Sequence, residues 1–336
     1  MNTKLFEPLY DSYIIDKDPL DPMNYYGKHH IPFLFVIDYM AKNPFIYPIK
    51  SIPDSVLFSI DGYSNNFNTT QQQKPVLHFE KYPVPFSKYL QPFRCVQSHL
   101  KDGNSYLANL TFPTPIDTNY SLYDIFLHST APYKLLFNDQ FVVFSPEPFV
   151  TIHNGFIYTF PMKGTMDASI PNAEERLMND DKEFAEHITV VDLLRNDLAK
   201  VSCNIIVEQF RYVSTVKTYK TTLLQTSSKI KGTLFPDYHK HLGDIFASLL
   251  PAGSVTGAPK KKTVEIIQEA EIYERGFYTG VFGYYDGVNC VSAVMIRFIE
   301  RCNDTFVYKS GGGITIYSNP AIEYNEMIEK VYVPVN

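Results

Sequence analysis

The pattern of apolar runs in the C-terminal third is the feature that most constrains the fold. Gly280–Tyr285 and Cys290–Ile299 read as strands, and the Asp286-Gly287 dipeptide between them is typical of a tight hairpin turn. A third run at Thr305–Lys309 continues the same meander. Strands that follow one another through short turns pair antiparallel, so the sequence predicts antiparallel sheet here.

Similar apolar runs recur through the first half of the chain, each bounded by turn residues. They predict strands at Phe33–Ile37, Val56–Ser59, Val76–Phe79, Tyr106–Phe112, Lys134–Phe137 and Phe141–Phe144.

Helices are predicted at Ser87–Lys101, from Asp180 to Asp197, and from Pro259 to Glu274. A fourth begins at Asn319-Pro320, an N-cap followed by a first-turn proline, and reaches about Val331. The helix after Asp180 starts with a capping-box pattern. Its predicted buried stripe consists of Phe184, Ile188, Val191 and Leu194, with glutamates on the polar side.

Strands outnumber helices, and the connections favour antiparallel pairing. The expected fold class is α+β, with two packed antiparallel sheets and flanking helices in one domain covering residues 1–336. Residues 1–30 lack periodicity and are expected to form an irregular lead-in to the motif-bearing core, about 93–336.

Composition and charge disfavour several classes of protein. The 336 residues are 45% hydrophobic, enough for a sizeable core, and the net charge of −6 without a basic run disfavours nucleic-acid binding. No apolar run approaches the roughly 20 residues of a membrane helix, and no signal peptide is recognisable, so the expected location is the cytoplasm. The four cysteines are scattered, which indicates reduced thiols.

Two pairs of glutamates stand out. Glu183 and Glu186 are three residues apart on one predicted helix, and Glu323 and Glu326 on another, so each pair shares a helix face. Four carboxylates in one site need a cation, and oxygen ligands favour Mg²⁺. Ordinary solvated helix faces are the alternative, and Glu326 with Lys330 also fits a simple i,i+4 surface pair.

Other candidate residues are ambiguous when taken singly. Gly311, Gly312 and Gly313 follow a predicted strand and would present backbone N–H groups to a carboxylate, or form a simple turn. Arg297 lies in an apolar strand, where it needs an anion unless it points outward from an edge.

Lys163, in Pro161-Met-Lys-Gly-Thr165, is the sharpest single residue. An amine acts as a nucleophile only when deprotonated, which requires a shift from its reference pKa of about 10.4. Glu147, in Phe144-Ser-Pro-Glu147, is a candidate acid or base. Solvent-facing turn residues are the alternative for both.

Taken in order, these motifs resemble the signature blocks of the chorismate-utilising enzymes. The remaining blocks are Glu183-Phe-Ala-Glu186, Val191-Asp-Leu-Leu-Arg-Asn-Asp197, Gly253-Ser-Val-Thr-Gly-Ala-Pro-Lys260 and Glu323-Tyr-Asn-Glu-Met-Ile-Glu-Lys330. The resemblance implies that family's α+β sandwich with a site between the sheets. It also implies Mg²⁺ on Glu186 and Glu326, with Glu183 and Glu323 assisting, and substrate contacts from Gly164, Thr165, Thr256, Tyr278, Arg297, Gly311, Gly312, Gly313 and Lys330.

Within the family, Lys163 matches the aminodeoxychorismate synthase component I branch, whereas anthranilate synthases typically have alanine there. Isochorismate and salicylate synthases carry a general-base lysine where this chain aligns Leu107, which disfavours that branch. The chain is also short, without most of the extension in which anthranilate synthases bind tryptophan.

The implied reaction converts chorismate and ammonia to 4-amino-4-deoxychorismate, on the way to p-aminobenzoate and folate. Lys163 is the implied nucleophile, with Glu147 as acid. Ammonia is expected from a separate glutamine amidotransferase subunit or from solution, because no glutaminase segment is recognisable.

Two positions depart from the family pattern: Pro148 replaces an arginine, and Gln225 replaces a histidine. Anthranilate synthase component I and a catalytically degenerate chorismate-binding protein therefore remain alternatives.

Overall fold

Two antiparallel sheets pack against each other in the computed structural model, which describes residues 15–65, 76–217 and 222–335. The first sheet has the strand order β11-β13-β10-β9-β16-β15-β1-β2, with β12 also paired to β13. Its strands are β1 (Phe33–Ile37), β2 (Phe45–Pro48), β9 (Pro148–His153), β10 (Phe156–Thr159), β11 (Met162–Asp167), β12 (Cys203–Lys217), β13 (Thr222–Thr233), β15 (Val281–Tyr285) and β16 (Cys290–Val294).

The second sheet has the order β14-β6-β18-β17-β8-β7-β3-β4, with β5 also paired to β6. Its strands are β3 (Val56–Ile60), β4 (Tyr63–Ser64), β5 (Phe79–Lys81), β6 (Leu107–Thr118), β7 (Tyr133–Phe137), β8 (Phe141–Ser145), β14 (Gly257–Ala258), β17 (Phe298–Cys302) and β18 (Thr305–Ile314).

Helices cover the outer faces. They are α1 (Asp21–Lys28), α2 (Phe86–Lys101), α3 (Leu122–His128), α4 (Ala173–Met178), α5 (Asp181–Ala199), α6 (Leu242–Leu249), α7 (Lys260–Ala270) and α8 (Pro320–Glu329). The α+β class with two antiparallel sheets and flanking helices, expected from the sequence, is confirmed.

Strand β1 shows how the layers are built. All five of its residues are buried: Leu34 and Val36 join the core between the sheets, whereas Phe33, Phe35 and Ile37 face the helices. A strand covered on both faces has no polar side, which explains the uninterrupted apolar run in the sequence.

Two of the connections that carry the chain from one sheet to the other are short and lie next to each other. Pro146 and Glu147 connect β8 to β9, and Met295–Arg297 connect β16 to β17. These crossovers lie side by side, because Val294 N–H donates to the Glu147 carbonyl and Phe144 N–H to the Arg297 carbonyl, each at 3.1 Å.

Several sequence predictions of local structure are wrong. The single strand Cys290–Ile299 is split by the crossover, and the strand predicted at Val76–Phe79 begins only at Phe79, with Val76 92% exposed. Helix 260–270 ends earlier than the predicted Glu274.

The irregular lead-in is also corrected. Residues 21–28 form α1, and Leu20 and Met23 are fully buried in the core. Residues 1–14 of that segment lie outside the described part of the chain. Within the described residues, no helix combines the length and apolar composition that a membrane crossing requires.

Candidate active site

Helix caps fix the position of both glutamate pairs. The Asp180 side chain accepts from the Glu183 backbone N–H at 2.9 Å and starts α5. The Asn319 side chain accepts from two N–H groups of the first turn of α8, as predicted. Each pair of carboxylates therefore lies in the first two turns of its helix, where the positive end of the helix dipole favours negative charge.

The triple glycine connects these helices to Lys163. Gly311–Gly313 lie inside β18, paired with β6, and do not follow a strand as the sequence suggested. A Cβ on Gly312 would lie 3.5 Å from Glu326 Oε1 and 3.8 Å from Glu323 Oε2, and one on Gly313 would lie 3.7 Å from Lys163 Nζ. Glycine thus lets backbone, carboxylates and lysine meet closely.

Lys163 enters the site from β11. Its Nζ donates to Glu186 Oε2 at 3.1 Å, and its carbonyl accepts from the Thr226 hydroxyl. The next residue, Gly164, has φ of +84°, and a Cβ there would lie 3.0 Å from Glu183 Oε2. The backbone conformation and the close approach of α5 therefore favour glycine at position 164.

Lys330, the C-cap residue of α8, pairs with a glutamate as Lys163 does. Its Nζ contacts Glu326 Oε1 at 2.6 Å, as the i,i+4 interpretation predicts, and donates to the Gly311 carbonyl at 2.9 Å. Burial lowers the pKa of Lys330, with Glu326 opposing the shift. Each pair of glutamates therefore has one ammonium group beside it, from Lys163 of β11 and from Lys330 directly after α8.

Glu147 lies at the crossover that adjoins these groups. The Ser254 hydroxyl donates to Glu147 Oε1 at 2.5 Å. Burial raises the pKa of Glu147, and Ser254, Arg297, Lys330 and Lys163 oppose the shift. Burial thus shifts this carboxyl toward its protonated form, the form that a proton donor needs.

Arg297 occupies the second crossover with φ of +53°. Its guanidinium carbon lies 5.2 Å from the centre of the Tyr332 ring, and within the described residues its Nε is buried without a hydrogen-bond partner. The outward-pointing alternative is wrong. A buried donor without a partner fits an anionic ligand.

The remaining predicted substrate contacts lie around this cluster. Thr165 is exposed on β11, opposite Gln225 of β13. Thr256 is fully buried and its hydroxyl lies 3.3 Å from the Tyr39 hydroxyl, whereas the Tyr278 ring packs on Phe298. The roles of these three residues as substrate contacts stay predictions.

Sequence reasoning missed a buried network beneath Thr256. Arg275 forms a bidentate pair with Glu271 at 2.7 and 2.9 Å and donates to the carbonyls of Val255 and Asn109. Burial lowers the pKa of Arg275, but Glu271 raises it, and the net pKa lies above the ordinary value. The signal available was a charged Glu-x-x-x-Arg pair at i,i+4 spacing, as in any helix surface.

The helix prediction around α5 also needs correction. Val191 and Leu194 are buried as expected, but Phe184 and Ile188 are 41% and 42% exposed. His187 is instead fully buried, with Nε2 2.7 Å from the Ser228 hydroxyl. The buried face of α5 is therefore rotated toward His187. The apolar periodicity could not show this, because it assigns a polar residue to the exposed face.

Comparisons with known proteins agree with this architecture. The family model described as chorismate binding enzyme matches residues 48–336. An uncharacterized PabA-like protein of Haemophilus influenzae is 51% identical over 318 residues, covering 94% of this chain and 96% of that protein.

More distant relatives carry specific names. Anthranilate synthase component 1 of Mycobacterium bovis is 36% identical over 200 residues, covering 57% of this chain and 38% of that protein. Aminodeoxychorismate synthase component 1 of Salmonella typhimurium is 29% identical over 259 residues, covering 73% of this chain and 56% of that protein.

Among solved structures, anthranilate synthase component I of Streptococcus pneumoniae aligns with a TM-score of 0.64 at 27% identity. The alignment covers 76% of this chain and 58% of that chain. The resemblance seen in the sequence motifs is thus confirmed, and the chain belongs to the family of chorismate-binding enzymes.

Proposed function

We propose that this protein is an aminodeoxychorismate synthase component I, which converts chorismate and ammonia to 4-amino-4-deoxychorismate. The observation that carries the proposal is the position of Lys163. Its Nζ contacts Glu186 and approaches Gly313, so it lies between the glutamate helix and the glycine strand.

Leu107 supports the same assignment. Its Cδ1 would lie 3.0 Å from a Cβ on Gly313, next to Lys163. An aliphatic side chain has no lone pair and cannot deprotonate water, so this position disfavours the hydration of chorismate that an isochorismate synthase performs.

The proposed mechanism uses Lys163 as nucleophile. The neutral amine, released from its hydrogen bond to Glu186, attacks C2 of chorismate while the C4 hydroxyl leaves as water, with a proton from Glu147. Ammonia then attacks C4 as the C2–N bond to Lys163 breaks, and a proton from the nitrogen now on C4 returns to Glu147, so both Lys163 and Glu147 are restored. Arg297 and Lys330 supply positive charge for the substrate's carboxylates.

Four glutamates would hold a magnesium ion, with Glu186 and Glu326 as principal ligands and Glu183 and Glu323 assisting. The set offers only carboxylate oxygens, which fits a hard cation. The ion, when bound, would supply positive charge to a substrate carboxylate. Lys163 and Lys330 would then part from Glu186 and Glu326, to which they are paired here.

The source of ammonia is proposed to be a partner. The relatives named component 1 and PabA-like point to a system of two components. A glutamine amidotransferase subunit supplying ammonia fits these names, and ammonium in solution would replace it in an assay.

The test is to incubate the purified chain with chorismate, ammonium and Mg²⁺ and to identify the product by mass. We expect 4-amino-4-deoxychorismate, formed only with Mg²⁺. Chorismate binding without turnover would instead identify a degenerate chorismate-binding protein, to which Pro148 and Gln225 would contribute.

Anthranilate synthase component I is the second candidate, favoured by the 36% identity to the Mycobacterium bovis enzyme. Anthranilate is fluorescent, so a fluorescent product in the same assay would overturn amination at C4.

A further inference from the structure

A second cluster of potential ligands lies where α2 packs on α7. Cys95 and His99 are four residues apart on α2 and share one face of that helix, and Glu269 faces them from α7. One ligand atom from each side chain lies within 4.8 Å of the other two. The three residues are distinct from the glutamates of the candidate active site.

The distances match those between ligands of one tetrahedral metal ion. Cys95 Sγ lies 3.6 Å from Glu269 Oε1, and His99 Nε2 lies 3.1 Å from Glu269 Oε2. For metal bonds of about 2.3 Å to sulfur and about 2.0 Å to nitrogen and oxygen, tetrahedral geometry separates S from O by about 3.5 Å and N from O by about 3.3 Å. The sulfur and the nitrogen face different oxygens of Glu269, so an ion held by one of these oxygens needs a rotation of the exposed carboxylate.

The type of ligand selects the metal. A thiolate, an imidazole and a carboxylate form a mixed soft and hard set, which suits Zn²⁺ better than Mg²⁺ or Ca²⁺. The Asn104 side chain lies 3.2 Å from His99 Nδ1, at the ring nitrogen opposite the one that faces Glu269. The atom at this distance is the amide Nδ2, and a flip of the amide would place its oxygen there to accept Nδ1–H and orient a metal-bound imidazole.

We propose that Cys95, His99 and Glu269 bind Zn²⁺ at the surface, with a fourth position open to water. The half-buried Cys95 and His99 keep the ion close to the protein, and the exposed Glu269 leaves an entry path. Bound zinc links α2 to α7 and stabilises their packing on β6, since only the folded state brings all three ligands together.

The experiment uses Co²⁺ as a spectroscopic substitute for Zn²⁺ on the chelator-treated full chain. We expect one equivalent of Co²⁺ to give visible bands of tetrahedral intensity together with a near-ultraviolet thiolate charge-transfer band, both removed by Zn²⁺. The charge-transfer band reports a sulfur ligand, so Co²⁺ held by the glutamates of the active site does not produce it.

Variants assign the ligands. Cys95→Ser loses the charge-transfer band. Asn104→Ala weakens binding by about 10-fold, and His99→Gln, which removes a ligand outright, weakens it by about 100-fold or more. Cys302→Ser is the matched control: Cys302 is also half-buried and lies 3.5 Å from a glutamate oxygen, Glu300 Oε1, and its variant keeps the band.

Thermal unfolding gives an independent readout. Saturating Zn²⁺ raises the Tm of the wild type and of Cys302→Ser but not that of Cys95→Ser or His99→Gln, and without metal all four unfold at similar temperatures. A wild type without a thiolate band, or a band that persists in Cys95→Ser, would overturn the proposal.

Discussion

This chain contains two kinds of ion pair, and they differ in how much of the charged side chains stays exposed to solvent and ligands. Arg275 and Glu271 are each 2% exposed in their side chains, and donors and acceptors on the surrounding backbone satisfy the rest of the pair. The pairs of Lys163 with Glu186 and Lys330 with Glu326 leave between 23% and 48% of each side chain exposed. The first pair is closed and structural, whereas the open pairs can exchange partners with a ligand.

The largest effect is expected at the open carboxylates. Glu186→Gln and Glu326→Gln should each abolish ammonia-dependent turnover, because an amide lacks the charge that a hard cation requires. Turnover at a range of Mg²⁺ concentrations, with Tm as a control for folding, is the measurement. Near-normal activity with unchanged magnesium dependence in both variants would break the distinction between the two kinds of pair.

Arg275→Met should reduce the free energy of unfolding by about 3–5 kcal/mol, because it leaves the Glu271 carboxylate buried without a partner. Denaturant unfolding measures this loss. The double variant Arg275→Met/Glu271→Leu should recover most of it, and a single variant within 1 kcal/mol of wild type, by the same order-of-magnitude estimate, would contradict a closed structural pair.

Lys163→Ala should lower C4 amination by about 100-fold, equivalent to about 2.7 kcal/mol of activation free energy. Wild type given chorismate and Mg²⁺ without ammonia should accumulate a covalent adduct on Lys163, detectable by intact mass and peptide mapping. If Lys163 stays unmodified in the wild type and Lys163→Ala aminates C4 at the wild-type rate, Lys163 binds the substrate and is not the nucleophile.

The smallest effect is expected on stability at Lys330. Lys330→Met removes a partly exposed pair and should change the free energy of unfolding by no more than about 1 kcal/mol, while the KM for chorismate rises. Comparing its unfolding curve with that of Arg275→Met measures the difference in stability that the two ion pairs contribute. A loss as large as that of Arg275→Met would place Lys330 among the structural pairs.

Local signals in the sequence predicted much of the fold. The Asp286-Gly287 hairpin and the Asn319 N-cap form as expected, because turns and caps depend on residues close in the chain. The motif residues Lys163, Glu186 and Lys330 also come together in space. Periodicity failed at Phe184 and Ile188, since it cannot specify which side of an amphipathic helix a neighbouring sheet will cover.

By itself, then, the sequence determined the antiparallel α+β class, the helix starts that carry the glutamates and the family resemblance. Only the tertiary structure decided that the run Cys290–Ile299 breaks at Arg297 to change sheets, and that Cys95 and His99 meet Glu269. Both depend on contacts between segments far apart in the chain. Hydrogen bonds between the crossovers and the packing of α2 on α7 set these positions, and no local pattern of residue types encodes them.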